Sequence, residues 1–238
     1  MILAYHRINP WYENDALTVR PEDFERQIKY LQKKGYKFVS LKEYIAIKTE
    51  KGQRQHKICC FTFDDGFADN LWFAAPILEK YKIPAVIFIA VMFIGIKQVL
   101  PRYKDTEKDR FLRWEEVKKM ADSGILFGSH ALTHPRLTQI DDSQAYNEII
   151  KSKEIIKEKI GKEAEYFCYP FGDINQNIIS LVKKAGYKAA VLTYKKNIPE
   201  NLFTLRRTGI YGKNNFFIYR IKIWRTYLRE KKSGLSLD

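Results

Sequence analysis

Apolar runs and amphipathic stretches alternate along the whole chain. Ile2 to His6 reads as a short strand ending in a histidine, followed by the loop Arg7 to Leu17. Arg20-Pro21-Glu22-Asp23 opens a helix with proline and acids in its first turn. Phe24, Ile28 and Leu31 supply its apolar stripe, and Gly35 stops it. Lys37 to Leu41 predicts a strand, Leu41 to Ile47 a short helix, and the polar stretch Lys48 to Lys57 a loop. Ile58-Cys59-Cys60-Phe61-Thr62-Phe63 is a short run bounded by a turn signal, as a buried strand is. A helix from about Ala68 to Tyr81 and a strand over Ala85 to Val91 follow. The long polar connection Gly95 to Arg113 has the character of a lid or binding loop.

Further on, Trp114 to Ser123 is helical and Ile125 to Ser129 is a strand that delivers His130. Asp141 to Ile160 is an amphipathic helix ended by Gly161. Tyr166 to Tyr169 is a strand running into Pro170-Phe171-Gly172, and Asn175 caps a helix that reaches Ala185. Tyr187 to Thr193 and Leu202 to Arg206 are the last two strands. Such alternation indicates a mostly parallel α/β fold, and about eight strand candidates favour a barrel over an open sheet. Chemistry in such barrels sits at the C-terminal ends of strands. His6, Asp64-Asp65, His130 and Pro170-Phe171 all fall there.

Two adjacent acids at the mouth of an apolar strand cannot both ionise without a cation or strong hydrogen bonds to offset their repulsion. Alternation aims Asp64 and Asp65 in different directions, so one can hold a metal while the other handles a proton. An ordinary solvated Asp-Asp-Gly turn is the competing reading. His130 and His134, at i and i+4 after a strand, suit one metal if the turn between them is tight. A carboxylate from elsewhere would complete a facial set with open positions for water.

The hydrophobic content of 45% is ordinary for a protein with a real core. Three cysteines, Cys59, Cys60 and Cys168, make no disulfide framework, which suits a reducing compartment. No signal peptide is visible at Met1-Ile2-Leu3-Ala4, and no apolar run spans a bilayer. These features predict a cytoplasmic protein. A net charge of +14 favours an anionic partner without choosing among nucleic acid, phospholipid and phosphorylated substrate.

Thr62-Phe63-Asp64-Asp65-Gly66 resembles the first motif of the NodB-type polysaccharide deacetylases, carbohydrate esterase family 4. Ser129-His130-Ala131-Leu132-Thr133-His134 is similar to their histidine motif. Phe167-Cys168-Tyr169-Pro170-Phe171-Gly172 is similar to the third motif in the form found in the poly-N-acetylglucosamine deacetylase branch. The resemblance spans roughly residues 1 to 210. It implies a distorted (β/α) barrel, one divalent metal, zinc first and cobalt, nickel or manganese after it, and removal of the N-acetyl group from an amino sugar.

Carried over by position, the resemblance makes Asp65, His130 and His134 the metal ligands and Asp64 the general base. It makes the Phe171 backbone N–H an oxyanion donor. Two departures stand out. Cys168 lies where the usual third motif has an arginine that orients the base, and Arg206 or Arg207 is the candidate replacement. No histidine follows His134, so the general acid falls to His6, within Ala4-Tyr5-His6-Arg7, which resembles the branch's N-terminal motif. Tyr169, Pro170, Trp114 and Arg206 are the substrate-binding candidates, with simple core packing the competing reading for Trp114.

Residues 1–212 therefore predict one deacetylase-like barrel and 213–238 a basic, aromatic C-terminal helix. Over 213–232 Phe217, Ile221, Trp224 and Leu228 fall at helical spacing among Arg and Lys, with Glu230 the only acid. Its stripe either packs on the barrel or lies on an anionic membrane surface, over residues 213–232, at the inner face. The expected partner is an N-acetylated glycan, in a polysaccharide or a lipid- or nucleotide-linked precursor. A nucleic-acid partner is not expected, since the basic residues are scattered and no recognised motif is present. Deacylation or deformylation of another small or sugar amide, and a catalytically inactive glycan-binding barrel, are the alternatives.

Overall fold

A computed structural model of the chain describes residues 1–12, 15–49, 57–96, 108–193 and 198–232. Its elements run β1 (Ile2–Tyr5), β2 (Arg7–Ile8), β3 (Thr18–Val19), α1 (Pro21–Lys33), β4 (Lys37–Phe38), α2 (Leu41–Thr49) and β5 (Ile58–Phe63). There follow α3 (Ala75–Lys80), β6 (Ala85–Ile89), α4 (Trp114–Asp122), β7 (Leu126–Ser129), α5 (Asp142–Ile160) and β8 (Tyr166–Cys168). The chain ends in α6 (Gln176–Lys184), β9 (Ala189–Thr193), β10 (Leu205–Gly209) and α7 (Phe216–Lys232).

Seven strands, β1, β10, β9, β8, β7, β6 and β5, pair in parallel around a ring that the β1–β5 pairing closes. The expected count was about eight. The extra strand, β4, pairs only with the start of β5, placing Lys37 beside Ile58 and Phe38 beside Cys59. Alternation along the strands divides the core in two. One cluster holds Ile2, Cys60, Val86, Phe88, Tyr166, Cys168, Val191 and Leu205, every second residue of the ring, and fills the barrel. The other holds Leu3, Tyr5, Phe61, Phe63, Ile87, Phe167 and Leu192 with the helices' apolar faces, Phe24 and Ile28 of α1 among them. Gly128 belongs to the inner set. A Cβ there would sit 2.5 Å from Phe88 Cε1, so only a hydrogen fits beside that ring.

Three expectations are corrected. The last strand is Leu205–Gly209, not 202–206, because residues 199–204 form a turn. There Thr204 N–H donates to the Asn201 carbonyl and Thr204 Oγ1 to the Pro199 carbonyl. The expected loop after His6 contains the small β2–β3 sheet, with Arg7 beside Thr18. The expected helix over 68–81 is interrupted by a π-turn at Asn70–Ala74, ahead of α3. Of the polar connections, 50–56 and 97–107 lie outside the described residues. Phe111, beyond the second of them, pairs antiparallel with Phe67.

Candidate active site

The strand ends carry the chemistry, and alternation explains who faces whom. In β5, Cys60 and Thr62 point into the barrel, so Asp64, two residues on, points in as well. In β10, Leu205 points in, so Arg207 does too and Arg206 points out. Arg207 Nη1 and Nη2 donate to Asp64 Oδ1 and Oδ2, each at 2.7 Å. The same guanidinium donates to Thr62 Oγ1 at 3.0 Å and reaches Cys168 Sγ at 3.0 Å. Burial pushes the Asp64 carboxyl up, but the Arg207 charge and hydrogen bonds outweigh it and hold the group well below the usual carboxylate range. Asp64 is an ionised carboxylate inside a closed barrel.

Asp65 turns the other way. It sits at φ 72° and Gly66 follows at φ 83°. At Gly66 a Cβ would meet Ile89 Cγ2 at 2.8 Å, so the position requires glycine for both its backbone and its space. The turn brings Asp65 Oδ1 to 3.7 Å from His130 Nε2 and 3.6 Å from His134 Nε2, and the two imidazole nitrogens lie 3.1 Å apart.

His130 leaves the end of β7 with its Nδ1 2.7 Å from the Cys168 carbonyl. A carbonyl only accepts, so Nδ1 carries the hydrogen and the Nε2 lone pair faces Asp65 and His134. Burial, with the His134 charge behind it, pulls the His130 pKa down to about 4, so the ring is neutral at pH 7. The turn between the histidines is held from α5. Glu148 accepts from Leu132 N–H at 2.9 Å, Thr133 N–H at 2.8 Å and Thr133 Oγ1 at 2.7 Å. Ala131 and His134 both adopt left-handed backbone, at φ 64° and 61°, conformations that persist only where surrounding contacts over-determine them.

His6, just past β1, places Nε2 4.0 Å from Asp64 Oδ2. Its buried Nδ1 has no hydrogen-bond partner among the described residues. Arg7, next in the chain, anchors this corner by donating to Asp69 at 2.7 Å and Asp109 at 2.8 Å. That pairing ties the His6 loop to the segment carrying Phe111.

These groups open into one cleft of about 430 Å³, lined by His6, Asp64, Asp65, His130, His134 and Arg207 together with Tyr169 and Phe171. Phe171 lies at φ 57° in the turn Pro170–Gly172, 54% exposed, with its ring 4.6 Å from the His134 ring. The neighbouring N–H groups of Gly172 and Asp173 donate to Tyr169 and Pro170 carbonyls. The Phe171 N–H enters no hydrogen bond among the described residues.

Not every expected residue reaches the cleft. Tyr169 does, though its hydroxyl donates away from it to the Phe203 carbonyl at 3.0 Å. Pro170 is buried. Trp114 opens α4, half-buried against the outer core. Arg206 is turned outward, its guanidinium on the Ile198 carbonyl and its N–H on Glu200. None of these last three lines the cleft. Of the two arginines named for the base, Arg207 is the one that reaches it, while Glu148 and the cleft-lining Tyr211 were not among the predicted site residues. Alternation from Leu205 was the available signal for Arg207. Nothing local marks Glu148, which acts from another element.

The donor set fits a divalent cation. Two imidazole nitrogens and one carboxylate oxygen converge with edges of 3.1 to 3.7 Å, matching ligands each about 2.0–2.2 Å from one ion. A second grouping, Asp64, His130 and Cys168, also clusters. It fits less well, because burial holds the Cys168 thiol well above its ordinary pKa and Asp64 is already occupied by Arg207.

The family model described as "Polysaccharide deacetylase" matches residues 51–190. A protein of Bacillus subtilis (strain 168), provisionally named a polysaccharide deacetylase, YxkH, is 32% identical over 192 residues, which are 81% of this chain and 63% of that protein. The chain thus spans less than two thirds of that relative's length. The poly-beta-1,6-N-acetyl-D-glucosamine N-deacetylase of Staphylococcus aureus (strain MSSA476) is 27% identical over 218 residues, 87% of this chain and 72% of that one. The crystal structure of BC0361, a polysaccharide deacetylase from Bacillus cereus, superposes with a TM-score of 0.74 at 26% identity. The match covers 93% of this chain and 68% of that one.

Proposed function

Because the chain belongs to the polysaccharide deacetylase family, we propose that it hydrolyses the N-acetyl group of an N-acetylated amino sugar in a glycan. A β-1,6-linked N-acetylglucosamine polymer, named for the staphylococcal relative, is the first substrate to test. The observation that carries this reading is one cleft in which three convergent ligand atoms stand beside an ionised Asp64, with His6 across from it.

Asp65, His130 and His134 would hold the divalent metal that this family uses, and zinc suits their nitrogen-rich set best. Bound there, such an ion polarises an acyl oxygen and lowers the pKa of water to about 7. Asp64, fixed by Arg207, takes the proton of the attacking water. The water oxygen bonds to the acetamide carbon, the C–N bond breaks, and His6 delivers a proton to the departing nitrogen. Acetate and a free amine result. The Phe171 N–H, unused by its own turn, donates to the oxyanion that develops on the acyl oxygen.

Acetate release from N-acetylglucosamine oligomers, with zinc or cobalt supplied, tests the proposal. Release that is lost in both Asp64→Asn and His6→Ala supports it, and release unchanged in Asp64→Asn overturns it.

A further inference from the structure

The C-terminal helix α7 has two stripes with the same spacing, offset by two residues. Tyr219, Ile223, Thr226 and Glu230 form one, and Phe217, Ile221, Trp224 and Leu228 the other. Two residues are about 200° of helix, so the stripes lie on opposite faces. The barrel takes the less apolar one. Tyr219, Ile223 and Thr226 are buried, the Thr226 hydroxyl bonds that of Thr208 at 2.8 Å, and Glu230 pairs with the Met1 ammonium at 3.1 Å and with Lys48 at 3.3 Å. The more apolar stripe is turned away from the barrel, with Ile221 and Leu228 half-buried between their exposed neighbours. Phe217 is 67% and Trp224 59% exposed, with Ile218 beside them at 38%.

Scattered exposed apolar residues need no explanation, but an aligned row of large ones does. This row is edged by Arg220 and Arg225, both exposed, and carries no acid, because the helix's one acid, Glu230, is turned to the barrel. Aromatic and branched side chains bordered by cations suit the boundary between acyl chains and anionic headgroups. A second copy of the chain would set these cations against each other, within a protein of net charge +14.

We propose that the outward face of α7 is an interfacial docking surface for an anionic phospholipid membrane. Lys222 near its start bonds the Gly209 carbonyl at the cleft end of β10, while Glu230 near its end bonds Met1 at the opposite end of β1. The helix therefore runs along the barrel wall from mouth to floor. Docked through this face, the barrel lies on its side and the cleft opens along the membrane surface.

The test is co-sedimentation of the full chain with vesicles of phosphatidylglycerol and phosphatidylcholine, or of phosphatidylcholine alone, at rising salt. Wild type should bind the anionic vesicles, weaken with salt, and ignore the neutral ones. Phe217→Ser/Trp224→Ser and, separately, Arg220→Ser/Arg225→Ser should each bind at least tenfold more weakly. Circular dichroism and acetate release would remain as in the wild type, since none of these side chains lines the cleft and the one contact toward the core is Arg220 over the Tyr30 ring. Equal binding by the variants overturns the proposal. So does absent vesicle binding together with a dimer, seen by sedimentation, that Phe217→Ser/Trp224→Ser abolishes. Neither outcome bears on the deacetylase reading, which acetate release decides alone.

Discussion

Arg207 meets Asp64 end to end, two donors on two oxygens at 2.7 Å each, with the arginine 1% and the aspartate 3% exposed. Bidentate geometry makes this a strong charge-assisted pair, and removing one partner of such a buried pair costs about 3–5 kcal/mol. The arginine that the third motif lacks is thus supplied from the last strand of the ring, at the same carboxylate the resemblance assigns as base.

Replacing Arg207 by Met should move the acid limb of kcat/KM to higher pH, by about one unit or more. In the wild type the depressed Asp64 pKa contributes stability that is fully present above the unfolded value, about 3.9, and is lost only as pH falls through the lower folded value. In Arg207→Met, burial is opposed only by the weaker pull of His130 and His6, and the folded pKa rises above the unfolded one. The sign then reverses, and stability falls as pH rises through that window. Rate profiles and urea midpoints at pH 4 and pH 7 read both effects. An acid limb that stays in place would refute the pairing's role.

Asp64 and Asp65 are adjacent, and the proposed mechanism divides the labour between them. Asp64→Asn should lower acetate release about 10²–10⁴-fold while leaving bound metal near one per chain. Asp65→Asn should lose the metal itself. Elemental analysis after desalting separates the two. Equal metal loss in both variants would mean that the ligand set has been drawn around the wrong carboxylate.

His130 makes the metal-free protein sensitive to acid. Its folded pKa of about 4 lies below the ordinary 6.5, so between those values the unfolded chain binds a proton that the native one refuses. Stability therefore drops as pH falls from 6.5 toward 4, by about 3 kcal/mol at most. His130→Gln should flatten that part of the profile. Urea unfolding of both proteins in chelator, at pH 7 and pH 4.5, gives the comparison.

All three cysteines are buried, and burial raises the pKa of each thiol. None should react with a thiol reagent in the native protein, and all three should react in denaturant. Labelling of Cys168 in the folded state would show that the barrel opens beside Arg207.

The barrel was legible because its strands are short apolar runs separated by well-marked helices, and because three of its strand ends carry acids or histidines. Two details escaped for physical reasons. Leu202 and Phe203 look like strand, yet the Asn201 and Thr204 side chains tie the segment into a turn, and the three-residue shift exchanges Arg206 for Arg207 at the cleft. The left-handed backbone at Asp65, His134 and Phe171 is only weakly marked in residue type, by the aspartate and the histidine. None of the three is glycine, and only tertiary contacts hold them there.

Closure of the ring by β1 ties the assembly of the site to the order of synthesis. Within the ring, β1 comes first in the chain and is flanked by β5 and by β10, which comes last of the seven. Until residues 205–209 have left the ribosome, the nascent chain is an open sheet with two unpaired edges, on β1 and β9, and Asp64 faces the interior without its arginine. Contacts so distant in sequence form late, and an uncovered strand edge invites association with other chains. Chains ending before residue 205 should therefore accumulate as aggregates, which ultracentrifugation of a truncation series would detect.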